Sequence, residues 1–418
     1  MKIKLSRFLL EMLFINVIIG FPFISSIPDF IGEQSRLVTV PYRAIILLLS
    51  LLTLSVFYIY RKRIISYQFI FIYFLIWSMM FVRLYWDLEI KQISTIIEPS
   101  YYFTFGFGAI FIPSLVFLFR IEEDSLIRIY KWSLYGMFFS AVANLFAGLV
   151  HIQNITSASV DISRISSNVF SPITYGYLGV TLIILAISNF PKPGKLFDIS
   201  FRILSMLLGI VIVSVSGSRG PLVALIVCLL LFILTQVNTR RRFVFFFLAI
   251  ILVITMYIIM INIQEVSSFR PLSRIDSLTN LSADISFENR IKRYKLAINQ
   301  FLLSPILGNS LVIAETKDYP HNIIIEAFMS LGVVGAFLLI AIILKSIKSA
   351  FFVLKTKTSI WVSLIYIQFL IGAMVSGSLF TNTDFWFWSI IIISVNSSLK
   401  LSKGQKTSTH SISHGIIS

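Results

Sequence analysis

The residue with the clearest capacity for chemistry is His321, which stands between a proline and a long apolar segment. The tract begins Pro320-His321-Asn322 and continues into an apolar run that contains Glu326. Imidazole has an unperturbed pKa of about 6.5, so it can accept a proton near neutral pH. Because His321 lies where a polar loop meets a membrane-length segment, we expect it to act on a substrate anchored in lipid. An isolated histidine here could also simply hydrogen-bond a loop carbonyl.

Two further tracts carry arginines that could bind an anion. Arg219 lies in a turn between two apolar segments, where Gly220 lets the backbone approach a ligand and Ser218 is placed to cap the next helix. Arg290 and Arg293 open a basic, amphipathic stretch. Guanidinium groups bind phosphate oxygens in a bidentate manner. The alternative is that these side chains only reach lipid headgroups.

Composition predicts that the elements holding these residues lie in a membrane. Hydrophobic residues make up 57% of the chain and charged residues 13%, which excludes a water-solvated globule. A helix of roughly 20 apolar residues can cross a bilayer. We predict an all-α polytopic membrane protein, a single integral membrane domain over 1–418, with about twelve transmembrane helices. The segments are 8–27, 44–60, 64–83, 101–119, 129–150, 171–190, 199–217, 221–237, 243–261, 323–344, 360–380 and 385–399.

The basic residues predict how these segments are oriented. With the N terminus in the cytoplasm, 22 of the 35 Lys and Arg residues fall on cytoplasmic connections, as expected for a membrane protein. Both termini are therefore predicted to be cytoplasmic, with His321 on the outer face. The net charge of +16 then reports orientation, and it does not indicate nucleic acid as a partner.

The longest outer connection, residues 262–322, joins predicted helices 9 and 10. Loops of this length are usually functional. Apolar residues recur at helical spacing over about 287–303, which predicts an amphipathic helix along the outer membrane surface. The last residues, 404–418, are rich in Ser, Thr and Lys, and we predict a disordered cytoplasmic tail there.

Taken in order, these motifs resemble the O-antigen ligase and polymerase superfamily of bacterial envelope glycosyltransferases. The resemblance covers residues 216–335, and the first six predicted helices share only hydropathy with it. The sequence departs from the family where a glycine-rich turn is often found, since Gly308 is followed here by Asn309. The matching tracts are Ser218-Arg219-Gly220, then Arg290 with Pro305-Ile306-Leu307-Gly308, and finally His321-Asn322 with Gly332-Val333-Val334-Gly335.

The resemblance implies a GT-C-like, membrane-embedded helical glycosyltransferase that needs neither a metal nor another cofactor. Its donor would be a glycan linked to undecaprenyl diphosphate, and its active site would face the periplasm from the bacterial inner membrane. For this reaction, the matching motifs and the chemistry of the residues together predict His321 as the catalytic base and Arg219 and Arg290 as diphosphate ligands, with Arg293 as a third candidate. Ser218, Asn322 and Glu326 are predicted to be supporting residues.

Several alternatives remain within and beside this family. We favour a polymerase, which joins lipid-linked repeat units, over a ligase, which transfers finished polymer to the lipid A core. A flippase or other transporter has a similar helix number, but no duplicated half is evident in this sequence. Besides the lipid-linked donor and acceptor and the membrane lipids, a chain-length regulator and a flippase are candidate partners.

Helical geometry separates the polar residues around His321. At 100° per residue, Glu326 lies about 140° from His321, whereas Asn322 and Glu326 form an i, i+4 pair on one face. Glu326 is therefore expected to hold Asn322 or a neighbouring helix. The polar tract 381–384 near the C terminus could contact sugar hydroxyls, but its neighbours Phe385, Trp386 and Trp388 favour an interfacial aromatic belt.

Overall fold

The computed structural model describes residues 2–60, 64–156, 166–188, 196–239, 242, 250–251 and 285–413. Within this part of the chain, regular structure is helical apart from one isolated β-bridge between Ile64 and Phe119. Among the described residues, eight helices are long and apolar enough to cross a membrane, and two shorter apolar helices accompany them. The protein is thus a helical integral membrane protein, as its composition predicts.

π-Helical turns interrupt the helices of the N-terminal third of the chain. Such wide turns are rare and frequently occur at functional sites. In order, the elements are α1 (Lys2–Ile15), π1 (Asn16–Gly20), α2 (Phe21–Ile24), α3 (Ile27–Ile31), α4 (Ser35–Ile59), α5 (Tyr67–Tyr85), π2 (Trp86–Ile90), α6 (Pro99–Phe103), π3 (Thr104–Phe111), α7 (Ile112–Leu115) and a 3₁₀ turn (Val116–Leu118).

The remaining helices are longer and more regular. They are α8 (Glu123–Thr156), α9 (Pro172–Ile187), α10 (Leu196–Ser216), α11 (Arg219–Gln236), α12 (Ile285–Leu303), α13 (Ile323–Val353), α14 (Ile360–Val375) and α15 (Thr383–Ser413).

The predicted apolar segments agree with these helices wherever the structure describes them. Eleven of the twelve segments overlap a helix or a run of consecutive helices. The twelfth, 243–261, lies outside the described residues except for two positions. The total of twelve membrane spans and the outer loop over 262–284 therefore stay predictions. The tail predicted to be disordered over 404–418 is helical as far as Ser413, where α15 ends, and its last five residues lie outside the described residues.

Helix α9 is largely buried among its neighbours. Ser171 accepts a hydrogen bond from the Thr174 amide at its start, and Pro172 occupies its first turn. Twelve of its sixteen residues are buried, so this helix is enclosed by protein on most sides. Its contact with α10 is close because two glycines face each other: a Cβ on Gly179 would lie 2.7 Å from the Gly209 carbonyl oxygen.

Helix α12 covers the predicted amphipathic stretch and packs against α13. Phe301 meets Phe328 edge to face at 5.4 Å, and Ala297 is buried with Met329. The predicted apolar stripe is divided between two surroundings, since Phe301 packs on α13 whereas Ile298 and Leu302 remain 47% and 64% exposed. The inner face of α12 thereby fixes the basic residues at its start relative to His321, which lies just before α13.

Candidate active site

A cavity of about 940 Å³ lies between the N-terminal helices and the start of α13. Arg290, Arg293 and His321 line one part of it, together with Tyr319 and Asp384. Apolar side chains make up much of the remaining wall, among them Val17, Ile46, Phe105, Phe117 and Phe369. The described residues thus place two of the predicted diphosphate ligands and the predicted base in one concave, largely apolar site, which is the usual setting for ligand binding.

Arg293 joins the helix α12 to the loop that carries His321. Its guanidinium donates to Asp318 Oδ2 at 2.8 Å and makes a short contact with His321 Nε2. His321 Nε2 lies 3.8 Å from the same Asp318 oxygen. Because arginine has only donors, the facing Nε2 atom must be an acceptor in this arrangement, which corresponds to a neutral imidazole. Asp318 was not predicted from sequence, since one carboxylate in a polar loop gives no distinguishing pattern.

The backbone around His321 fixes where its ring can point. His321 has a φ of 63°, in the left-handed region that non-glycine residues seldom occupy. The Asn322 side chain follows as the N-cap of α13, accepting from the Ile324 and Ile325 amides at 3.0 and 3.1 Å. Its amide nitrogen donates to the Met374 carbonyl at 2.9 Å. Asn322 therefore links the start of α13 to the end of α14, and this explains its place beside the histidine.

The surroundings of His321 favour its neutral form. Burial is the main cause that lowers its pKa, and the positive charge of Arg293 lowers it further. The carboxylate of Asp318 acts in the opposite direction. The adjacent Tyr319 ring packs edge to face on the imidazole at 4.4 Å, and burial raises the pKa of Tyr319 to about 12. At neutral pH, Tyr319 is therefore protonated and His321 is able to accept a proton.

Glu326 faces away from the histidine and stabilises the connection between α14 and α15. It is 1% exposed, and its two oxygens accept from the Ser378 hydroxyl at 3.1 Å and the Leu379 amide at 2.8 Å. The carboxylate thus holds a neighbouring helix connection, and the structure shows no side-chain bond from it to Asn322. This connection also carries residues 376–378, which line the cavity.

Arg219 is half-buried at the first turn of α11, and it is not among the described residues that line the cavity. The turn reaches the cavity through Tyr177, whose hydroxyl lies 3.2 Å from where a Cβ on Gly220 would be. That hydroxyl is buried and has no hydrogen-bond partner among the described residues, and Tyr177 itself lines the cavity. Ser218 occupies the N-cap position, but the predicted capping bond is absent because its hydroxyl donates to the Ser216 carbonyl at 3.2 Å.

The two glycine motifs contact each other. Gly332 has a φ of 67° and breaks the helical geometry inside α13, and a Cβ there would lie 2.3 Å from the Ile306 carbonyl oxygen. The amide of Val333 donates to Pro305, and that of Asn309 donates to Met329, both at 2.8 Å. The turn after α12 is thus seated in the kink of α13.

Two residues that sequence reasoning missed, Arg83 and Asp87, clamp the same turn. Arg83 donates to the carbonyls of Leu307 and Gly308 at 2.6 and 2.9 Å. Fully buried Asp87 accepts from the Leu311 amide at 2.6 Å and pairs with Arg83 at 3.3 Å. The available signal was an acid and a base four residues apart at the end of an apolar run.

The aromatic residues after the tract 381–384 are not an interfacial belt. Phe385, Trp386 and Trp388 are at most 1% exposed, so the interpretation as a headgroup-facing belt is wrong. Trp386 donates its indole N–H to the Leu379 carbonyl at 2.9 Å, and Trp388 lines the cavity. These rings are buried because α15 packs inside the bundle, which hydropathy cannot distinguish from exposure to lipid.

Within the described residues, no group of three or more His, Cys, Asp and Glu side chains is arranged to hold a metal ion. The metal-independent chemistry expected from the motifs stays a prediction. The polar groups that the cavity offers are arginines, a histidine, hydroxyls and one carboxylate, which suit the binding of an oxyanion and the transfer of a proton.

The fold and the cavity together define the class of protein. It is a helical membrane protein in which arginines and a histidine line a largely apolar cavity. Residues 204–340 match the family described as O-Antigen ligase. This match lies in the same part of the chain as the motifs and confirms the resemblance drawn from them. The match covers about a third of the chain and includes Arg219, Arg290, Arg293 and His321. No curated protein matches the chain. The family implies a transferase- or ligase-type activity on lipid-linked glycans.

Proposed function

We propose that the protein is an O-antigen polymerase, a metal-independent glycosyltransferase that joins undecaprenyl-diphosphate-linked repeat units at the outer face of the cytoplasmic membrane. The observation that carries this proposal is the shared cavity, in which Arg290, Arg293 and His321 lie beside apolar walls. A lipid-linked donor brings the same combination of groups: an apolar tail, an anionic diphosphate and a sugar that must be attacked by a hydroxyl.

The proposed reaction is a displacement at the anomeric carbon of the donor. His321 takes the proton of the acceptor hydroxyl, whose oxygen forms the new glycosidic bond. The bond between the anomeric carbon and the diphosphate oxygen breaks, and the diphosphate leaves with the electron pair. Arg290 and Arg293 then neutralise the negative charge that develops on the leaving group. Arg219 is proposed as a further diphosphate ligand, supported by Ser218. It adjoins Gly220, whose Cβ position would lie 3.2 Å from the hydroxyl of the cavity-lining Tyr177.

Arg293 couples donor binding to the base in this scheme. In the structure its guanidinium is shared between Asp318 and His321 Nε2. A diphosphate offers stronger acceptor oxygens than a neutral imidazole does. Donor binding would draw Arg293 away from the ring and leave the Nε2 lone pair available for the hydroxyl proton. The base would thus become available when a donor is present.

The family description itself supports the second candidate, an O-antigen ligase that transfers finished polymer to the lipid A core. Both reactions use the same donor and differ in the acceptor. The predicted periplasmic site, the cytoplasmic termini and the contacts with a chain-length regulator and a flippase are parts of the proposal.

The test is the lipopolysaccharide pattern of a strain from which the gene has been deleted. A polymerase deletion leaves a single repeat unit on each core, because ligation of unpolymerised units continues. A ligase deletion leaves bare core while lipid-linked polymer accumulates, and this result would replace our proposal with the second candidate. Loss of all outward-facing lipid-linked units would indicate a flippase and would contradict both transferases.

A further inference from the structure

Arg43 is a third arginine on the cavity wall, and neither the motifs nor the family match includes it. It lies in α4, eight residues after Ser35, or about 12 Å along the helix axis. The charge map places the start of α4 on the outer side, the side on which His321 is predicted. Asn16 of π1 and Phe21 of α2 also line the cavity.

Aromatic rings surround the guanidinium of Arg43. Its Cζ atom lies 4.3 Å from the ring centre of Phe105 and 5.3 Å from that of Phe21. The Tyr101 hydroxyl accepts from Nη1 at 3.5 Å. These contacts orient the guanidinium and leave its charge uncompensated. Among the described residues, no carboxylate lies within ion-pair distance of Arg43.

Two other arginines, whose roles are interfacial or structural, differ from Arg43 in their exposure and in their acidic partners. Arg36, at the start of α4, has a side chain 76% exposed and lies 3.7 Å from Glu98. Arg83 is paired with Asp87 and capped by three carbonyls. Arg43 is half-buried and faces the cavity without such an acidic partner. An arginine in a membrane-length helix is costly, and one without an acid partner points to an anionic ligand.

The cavity therefore carries cations on two separate walls. Arg290 and Arg293 come from α12, whereas Arg43 comes from α4. Asp384 is the single carboxylate among the described lining residues. In the proposed reaction, Arg290 and Arg293 bind the donor diphosphate beside His321. A reaction that joins two lipid-linked substrates brings a second anionic head group to the same membrane face, and this group needs a cation of its own.

We propose that Arg43 binds the diphosphate of the acceptor substrate, so that the cavity holds two lipid diphosphates at once. The inference rests on the proposed function, because it takes the acceptor to be lipid-linked. Phe105, Phe21 and Tyr101 position the guanidinium, and the apolar wall formed by α1, π1 and π3 accommodates the start of the acceptor's lipid chain. The same phosphate chemistry is offered by an anionic phospholipid headgroup, so the test must distinguish these two sources.

The experiment counts bound lipids on the purified full-length protein in detergent by native mass spectrometry, with undecaprenyl diphosphate as the probe. We expect the wild-type protein to bind two molecules and Arg43→Gln to bind one. The affinity of this variant for the second molecule should be about tenfold or more below that of the wild type. Arg43→Lys keeps a cation without the planar fork and should bind the second molecule with intermediate affinity. Arg36→Gln is the matched control, since it removes the same charge from the same helix outside the cavity, and it should still bind two.

The donor variant Arg290→Gln/Arg293→Gln separates this inference from the proposed function. If it also binds one molecule, and its combination with Arg43→Gln binds none, both proposals stand. If it still binds two while Arg43→Gln binds one, the donor site is wrong but the Arg43 site stands. A single bound molecule in the wild type, or two in a correctly folded Arg43→Gln protein, would overturn the inference. In a second arm with phosphatidylglycerol, loss of that lipid alone in Arg43→Gln would assign Arg43 to a headgroup and overturn it as well.

Discussion

At the scale of single residues, the contact between Arg293 and His321 is the feature on which the proposed chemistry depends. Arg293 keeps a positive charge against the imidazole, and this charge adds to burial in lowering the pKa of His321. The base is active when neutral, so kcat/KM should fall only as the pH decreases through a pKa below about 6.5.

Replacing Arg293 should therefore move the acidic limb of the pH profile. Arg293→Gln removes a charge that lowers the His321 pKa and leaves Asp318, which raises it. The limb of kcat/KM should shift to higher pH, whatever the loss in maximal rate. Lys292→Gln removes the same charge from an exposed position on the same helix and should leave the limb in place. A limb that stays put or moves to lower pH in Arg293→Gln would exclude His321 as the titrating base.

Glu326 illustrates a buried acid with a structural role at the same scale. Glu326→Ala leaves the Ser378 hydroxyl and the Leu379 amide without their acceptor, and we expect a loss of about 1–3 kcal/mol in stability. The thermal unfolding midpoint of the purified protein measures this effect. Ser330→Ala, which removes a buried hydroxyl bonded only to the carbonyl of Glu326 within α13, is the control and should change the midpoint less. An unchanged midpoint together with a lost acidic limb would instead assign Glu326 a role in catalysis.

At the scale of elements, the site depends on the contact between the turn after α12 and the kink at Gly332 in α13. Gly332 has a backbone conformation that essentially only glycine adopts, and its missing side chain admits the Ile306 carbonyl. Arg83 and Asp87 hold the other side of the same turn. Because α12 carries Arg290 and Arg293, a displaced turn would separate these arginines from His321.

Gly332→Ala tests this dependence. The methyl group would overlap the Ile306 carbonyl, and the backbone conformation alone costs about 1–3 kcal/mol, so both stability and transfer should decrease. Gly108→Ala is the matched control, since its Cβ would meet its nearest neighbour at an ordinary 3.7 Å. Transfer and unfolding temperature are measured on both purified variants. If Gly332→Ala kept the transfer rate and unfolding temperature of the wild type, the contact between this turn and the kink in α13 would not position the site.

Sequence patterns predicted these elements unevenly. Apolar length and Pro or Gly breakers located the helices that the structure describes, and helical periodicity placed an amphipathic helix close to α12. The contact between Gly308 and Gly332 is long-range, so no local pattern reports it. Burial of Trp386 and Trp388 was also missed, because a helix inside a membrane bundle and a helix facing lipid have the same hydropathy. Arg43 was passed over for a related reason: one charge beside an apolar run looks like an interfacial anchor.

At the scale of the whole molecule, the account requires His321, Arg290 and Arg293 to face the periplasm. This orientation comes from the distribution of Lys and Arg alone. The structure adds that the connection after π2 lies beside the loop before His321, since the Ile96 amide donates to the Lys317 carbonyl at 3.1 Å. These two predicted outer connections therefore lie at one end of the molecule.

Cysteine labelling tests the orientation, because the chain has one natural cysteine and it is buried. In a Cys228→Ser background, Lys317→Cys should react with a membrane-impermeant maleimide in cells whose outer membrane alone is permeable. Lys357→Cys, exposed in the connection between α13 and α14, should react only after the inner membrane is opened. The reverse pattern would place the candidate site in the cytoplasm.

The most direct test of the central claim is the rate of glycan transfer by purified protein from a lipid-diphosphate-linked repeat unit. General base catalysis typically contributes about 10²–10⁴-fold, so His321→Ala should lose at least about a hundredfold while folding normally and still binding undecaprenyl diphosphate. His151→Ala, which removes a histidine paired with Asp29 outside the cavity lining, should keep its rate. A rate for His321→Ala within a few-fold of the wild type would contradict the account.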